Sequence, residues 1–514
     1  ANTTGNSNVA VGRYALDANT TADENTAIGY YALSANTTGH SNVGVGRGAL
    51  QANTTASVNT AVGYNALTAN TTGEHNTAVG RTALSTNSTA SDNTAIGSNA
   101  LASNTTGTQN TAVGRAALDA SSTASYNTAV GYRALGADTT GQENAAFGTD
   151  ALLANTTGGR NTALGAYALT ANTTGGNNIA IGYSAMIVNT TASENVGIGN
   201  YALDANTTGG NNCGVGYNVL GANTTGGQNT AVGHTALDAN TTASNSTAVG
   251  YGALGANTTG AQNTAVGANA ADALTTGSNN TACGYEALGK LTTGTDNIGV
   301  GRAAALDITT GDGNIAVGVE ALENGTTGSN NTAVGKQAGR NVSSATNNLL
   351  LGKDAGVTGS PGGNITTGSN LIVLGDENIG TFYCAQSSIN TSDRRDKNSI
   401  TNFTGGLSWI NAMNPITYKW DRRSWYIDSD ATPSDLLAVT PDGSKVNPSL
   451  EIGLIAQDVL EIEKANGYGA DNDNSLLVNL TEDETRYGLN YTKIVPILIS
   501  AIKELSAKVE ALES

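Results

Sequence analysis

The stretch "SDRRDKNSI", which begins at Ser392, concentrates reactive side chains in a chain that otherwise has few. Residues 392–398 hold five charged groups: Asp393, Arg394, Arg395, Asp396 and Lys397. A serine stands five positions before a lysine. Such a run is either a solvated surface loop or a chemical site. It is a site only if something strips the lysine of its proton, because a charged ammonium has no lone pair with which to act as a base. The other candidates are weaker. His40, His75 and His234 stand in the repeats described below without fixed acidic partners. Cys213, Cys283 and Cys384 lie far apart with no C-x-x-C spacing. They read as small thiols rather than as a disulfide framework or a zinc site. No metal and no cofactor is expected.

The elements that carry this run are set by an unusual composition. Of 514 residues 66 are glycine, 5% are aromatic and 12% are charged. Big side chains are too few for one large globular core, so the architecture must be repetitive. The net charge of −18 argues against nucleic acid and against an anionic membrane surface. The apolar run at 494–502 is too short to span a bilayer, so no membrane insertion is expected. Ala1 already falls inside a repeat and no signal peptide is visible, which gives the expectation of a fragment or a processed chain.

The repeat is exact in length. The glycine of "NTAVGYNALTANTTGEH" (residues 59–75), Gly63, recurs at Gly12, Gly29, Gly46, Gly80 and onward to Gly352, every 17 residues and in twenty-one units. One further unit, "SNLIVLG", ends at Gly375, 23 residues after Gly352. Spacing without an insertion or deletion predicts one solenoid coil per unit, since any indel would break the stacking of equivalent residues. "NTAVG" predicts a strand with Thr and Val on one face and Ala and Gly on the other. Both faces are small or apolar. One is the coil interior and the other is a candidate interface with another chain. "ANTTG" predicts a turn. The "AL" between them supplies the one larger core residue, on either a short strand or a helical turn. Stacked asparagines can pair their amides in ladders, and twenty-one coils at the strand spacing give a rod of roughly 100 Å. All six prolines lie at Pro361 or later, as a stacked array lacking spare N–H donors requires. The sixth position varies among Tyr64, Arg81, Ser98, Arg115, Tyr132 and His234. It reads as tolerated surface, or as a line of rings on which glycans could stack.

These units are similar to the head repeats of trimeric autotransporter adhesins, which also carry N-[ST]-x-A-[IV]-G in a β-roll, although the period here is 17 and the "ALxANTTG" half is this chain's own. The resemblance implies a trimeric roll.

From residue 386 on the chain changes character. There 31 of 129 residues are charged, against 33 of the first 385, and Trp409, Trp420 and Trp425 all lie in this part. A separate small domain followed by a helix is expected. Tyr491, Val495, Leu498, Ile502, Leu505, Val509 and Leu512 alternate spacings of four and three, the a/d seam of a coiled coil about three heptads long. The alternative is an amphipathic helix packed on its own domain.

Four blocks come in order: "SDRRDKNSI" from Ser392, "INAMNPITYKW" from Ile410, "GLIAQDVLEI" from Gly453 and "YTKIVPILISAIKEL" from Tyr491. They resemble the intramolecular chaperone domain, also called peptidase S74, of phage tail spikes and fibres. The resemblance implies a domain that trimerises a fibre and then cuts itself off. It implies Ser392 as nucleophile, Lys397 as its base and Asp393 beside the nucleophile, with the cut at Thr391–Ser392. A serine hydroxyl needs a base, and burial in a trimer would lower the lysine's pKa so that cutting waits for assembly.

The expected fold is mainly β: a trimeric β-solenoid rod at 1–357, a terminal repeat and transition at 358–391, an α+β chaperone domain at 392–490 and a coiled-coil helix at 491–514. The expected function is a structural fibre of a phage or phage-like particle. Its partners would be two further copies and a host-surface receptor, and its place a virion tail fibre or an extracellular surface. Self-cleavage would be its sole chemistry, with no turnover of an external substrate. A bacterial surface adhesin, or a glycan- or ice-binding solenoid with the same chaperone, is the alternative.

Overall fold

In a computed structural model the described residues are 2–379, 397, 400–403, 405–427, 432–471, 474–481 and 484–513. The chain divides into two compact units, 1–297 and 298–514. Twenty-two three-residue strands recur once per coil, from β1 (Val9–Val11) to β22 (Ile372–Leu374). The first unit holds β1 to β17 (Thr281–Cys283), and the second opens with β18 (Ile298–Val300). Within each unit successive strands pair in parallel with equivalent residues opposite each other, as Thr60, Ala61 and Val62 face Thr77, Ala78 and Val79. The fold is a parallel β-solenoid with a 17-residue period.

The coil at residues 59–75 shows why the sequence must close this way. Ala61, Ala66 and Leu67 are fully buried and fill the interior. Val62 points outward and is 37% exposed. Backbone bonds tie each coil to its neighbours: Thr60 N donates to Asn76 O at 2.8 Å, and Leu67 N to Ala83 O at 2.9 Å. Gly63 has φ +142°, and a Cβ there would stand 2.3 Å from the Gly80 carbonyl oxygen. No other residue fits this approach.

The Ala-Leu half is neither strand nor helical turn. Leu67 lies in the left-handed region at φ 52°, as do Asn65 and His75. A leucine seldom adopts this conformation. It does so here because the interior needs its volume and because its carbonyl closes a turn, accepting from Asn70 N at 3.3 Å.

In the coil at residues 59–75 two asparagines are buried with their hydrogen bonds made. Asn59 donates from its backbone N to Asn42 Oδ1 at 3.0 Å and from Nδ2 to Gly73 O at 2.8 Å. Asn70 donates from Nδ2 to Asn53 Oδ1 at 3.0 Å and to Gly73 O at 2.9 Å. A buried amide costs little when both its ends are paired. The ladders add directional bonds between coils to the packing of the apolar interior.

The longer last step of the array is a corner insertion. Ser360 Oγ accepts from Gly356 N at 3.0 Å and donates to Gly363 O at 3.0 Å, folding the extra residues into a tight turn. Strand β21 (Leu349–Leu351) still pairs in register with β22.

After the coils come α1 (Gly406–Ala412), β23 (Ile416–Tyr418), α2 (Pro433–Ala438), β24 (Glu451–Gly453), α3 (Ala456–Ala465), β25 (Val478–Leu480), β26 (Tyr487–Leu489) and α4 (Ile494–Glu513). β23 pairs antiparallel with β24, and β25 with β26. This is a small α+β region ending in a helix.

Candidate functional site

Of the three residues expected to carry chemistry, Ser392 and Asp393 lie outside the described residues. Lys397 lies within them and is exposed. Trp409 on α1 is buried with Val459, Leu477, Val478 and Ile497, and Phe403 meets its ring edge-on at 5.3 Å. Glycine at 406 lets α4 pass closely, since a Cβ there would lie 2.3 Å from the Ala501 nitrogen. The Glu504 carboxylate on α4 accepts from the backbone of Gly406 at 3.0 Å and of Leu407 at 3.1 Å, which satisfies N–H groups that begin α1.

Glu463, fully buried, is a feature that the sequence reading missed. Its carboxylate accepts from Leu476 N at 3.0 Å, from Leu477 N, and from Ser475 Oγ at 2.7 Å. It pins the loop before β25 onto α3. Nothing in the local pattern "EIEKANGY" marks that glutamate as different from Glu461, which is exposed.

A polar corner forms where the last coil meets the residues after β23. The Arg422 guanidinium stacks over Trp420 at 4.5 Å, and its Nη1 donates to Glu377 O at 2.7 Å. Arg422 Nε, Ser424 Oγ and Trp425 Nε1 are buried and find no partner among the described residues. Burial pushes the Glu377 carboxyl up from its ordinary value. Arg486 Nη1 reaches Ser360 O in the corner insertion at 3.3 Å.

Helix α4 settles which of its faces the domain uses. Ile497 and Ala501 are its buried residues, packed toward α1. Tyr491, Val495, Leu498, Ile502, Leu505, Val509 and Leu512, the predicted seam, are all exposed. Pro496 sits in the first turn, where its missing N–H costs nothing. From Val495 on, the heptad residues and the packed residues therefore lie on different faces of the helix, while Tyr491, which precedes it, accepts from Leu454 N through its hydroxyl at 2.8 Å.

On the coils the sixth and seventh positions make a continuous aromatic line. Tyr167, Tyr183, Tyr201, Tyr217, His234 and Tyr251 stand with successive ring centroids 5.8, 5.6, 6.0, 5.1 and 5.5 Å apart. Elsewhere arginines lie over these rings, as Arg47 does over Tyr64 at 5.5 Å. His75 Nδ1 lies 3.9 Å from Asp92 Oδ1, so this histidine does have an acidic neighbour. Both groups are more than half exposed, and such a pair is weak. Among the described residues no cluster of His, Cys, Asp and Glu could hold a metal, and no helix is long and apolar enough to cross a membrane.

Among curated proteins and among solved structures, none matches this chain. Residues 392–468 match the family Peptidase_S74, described as the chaperone of endosialidase. The match begins at the serine that opens the charged run and extends past α3, so the chain carries, after its solenoid coils, a peptidase S74 chaperone domain.

Proposed function

We propose that the chain is the subunit of a homotrimeric fibre of a phage or phage-like particle, serving attachment to a host surface. In this reading the chaperone domain registers three chains and then cuts between Thr391 and Ser392. The observation that carries it is the exposed heptad seam of α4. Six apolar residues of α4 at a/d spacing, from Val495 to Leu512, are exposed on the single chain, and a seam of that kind is covered by equivalent helices. The outward strand positions support it too: Ile28, Val62, Ile96, Leu164, Val232 and Val249 leave a column of apolar side chains exposed. Lys397, exposed in the single chain, becomes a competent base when partner chains bury it.

The test is a denaturing gel beside a native mass. The wild-type chain is expected as a trimer split near residue 392. Ser392→Ala and Lys397→Arg are expected as trimers of intact chains, since guanidinium cannot act as a base. Cleavage should slow as pH falls, because protonation removes the base. A monomer at micromolar concentration defeats the trimer. An unchanged cut in Ser392→Ala removes that serine from the chemistry.

A further inference from the structure

Between Asn2 and Asn257 the asparagine ladder at the twelfth position of the coil is interrupted at one place. From Asn19 to Asn104 each Nδ2 donates to the Oδ1 of the preceding rung, as Asn104 does to Asn87 at 2.9 Å. The same Nδ2 also donates to the carbonyl three residues on, as Asn104 does to Gly107 O at 3.0 Å. The next two rungs are Ser121 and Asp138. After them the asparagines resume at Asn155, which donates to Asp138 Oδ1 at 2.9 Å and to Gly158 O at 2.9 Å.

Three atoms in consecutive rungs are left without a partner: Asn104 Oδ1, Ser121 Oγ and Asp138 Oδ2. All three residues are fully buried. Asp138 Oδ1 plays the part of an asparagine Oδ1, accepting from Asn155 Nδ2 and, at 3.2 Å, from Gly141 N. Its Oδ2 therefore takes the place of the amide nitrogen, where every asparagine rung presents a donor. An ionised carboxylate presents an acceptor there.

We propose that Asp138 is a proton-operated rung. Taking up one proton from solvent turns its Oδ2 into the donor that the position requires, toward the Gly141 carbonyl as in the asparagine rungs, and tightens the coils on either side; losing the proton loosens them.

The surroundings contain nothing that would hold the charge instead. Asp138 is faced by Ser121 from the coil before, by Asn155 from the coil after and by Gly141 in its own turn. The ionisable groups on these coils are engaged elsewhere: Arg133 with Asp150 at 2.8 Å and Arg160 with Glu143 at 2.8 Å. Asp119 on the coil before is shifted by burial alone. Burial, opposed by the bonds from Asn155 and Gly141, raises the Asp138 carboxyl to about 7. The folded form thus prefers the proton. Its contribution is complete at acid pH, falls as pH rises above the ordinary aspartate value, and is lost by about pH 7.

Hydrogen exchange of the full-length chain, corrected for the intrinsic pH dependence, tests this. Amides of residues 121–155 are expected to be about tenfold less protected near pH 8 than near pH 6. Asp138→Asn and Asp138→Leu should both abolish the difference. Both should fold, because asparagine fills this place at Asn155 and leucine at Leu274. The infrared band of a protonated carboxyl near pH 6 should disappear in both. A wild type with equal protection at the two pH values overturns the proposal, as does an Asp138→Asn protein that keeps the wild-type difference.

Discussion

The coils and the region after them solve the same problem with opposite means. A coil has no buried residue larger than leucine or methionine, and it buries asparagines freely. The region after them is organised on a tryptophan, and a buried glutamate holds its loop. The distance over which information must act differs accordingly. A coil finds its partners within its own turn or about 17 residues away, as Asn59 finds Asn42. Glu504 must find Gly406 across 98 positions. Short separations fold with little loop-closure cost, and long ones need a specific core to hold them. Periodicity can therefore replace side-chain size, but only where each unit has an identical neighbour.

That contrast can be broken at its two ends. Trp409→Ala should cost about 3–5 kcal/mol in the C-terminal region, while the denaturant midpoint of the coils, followed by far-UV circular dichroism, stays at the wild-type value. A joint shift of both transitions would show that the two regions do not stand separately. Gly165→Ala should cost about 2–4 kcal/mol in the coils, from a forbidden backbone angle and a Cβ set against a carbonyl oxygen. It should leave the tryptophan fluorescence transition alone. The required φ is +144°, and the Cβ would lie 2.3 Å from the Gly182 oxygen. Arg160→Ala sharpens the comparison from below. It removes an exposed inter-coil ion pair with Glu143, and the coil midpoint should not move measurably, because register resides in the buried amides and not in surface charge.

The period, the strand and the buried alanine were legible because they are properties of one repeated pattern. The conformation of Leu67 was not, since leucine gives no local sign of a positive φ. A sign did exist further along: Gly339 and Gly356 occupy the same place in their coils, with φ of 61° and 76°. A residue that alternates between leucine and glycine reports a left-handed backbone with a core to fill. The terminal helix was legible from its heptad spacing, and the self-packing alternative is met by Ile497 and Ala501, while the a/d residues from Val495 to Leu512 stay exposed on the single chain. The partners of Glu463 and Glu504 were hidden, since a carboxylate that caps a distant backbone follows no spacing rule. The chemistry expected of Ser392, Asp393 and Lys397 rests on the family match and on residues that the described structure reaches only at Lys397.

The invariant step of the coils makes their number a digital variable. Remove any complete coil, and each residue that lost a neighbour meets an equivalent one from the next coil. Remove a single residue, and the one coil that lost it can set its glycine against its neighbour's only by distorting a turn. In-frame exchange between two coils in a gene thus keeps the backbone register, and changes only those side-chain pairs that belong to particular coils, such as Arg133 with Asp150. A lineage carrying this array can lengthen or shorten its product in increments of one strand spacing without inventing a new backbone pairing.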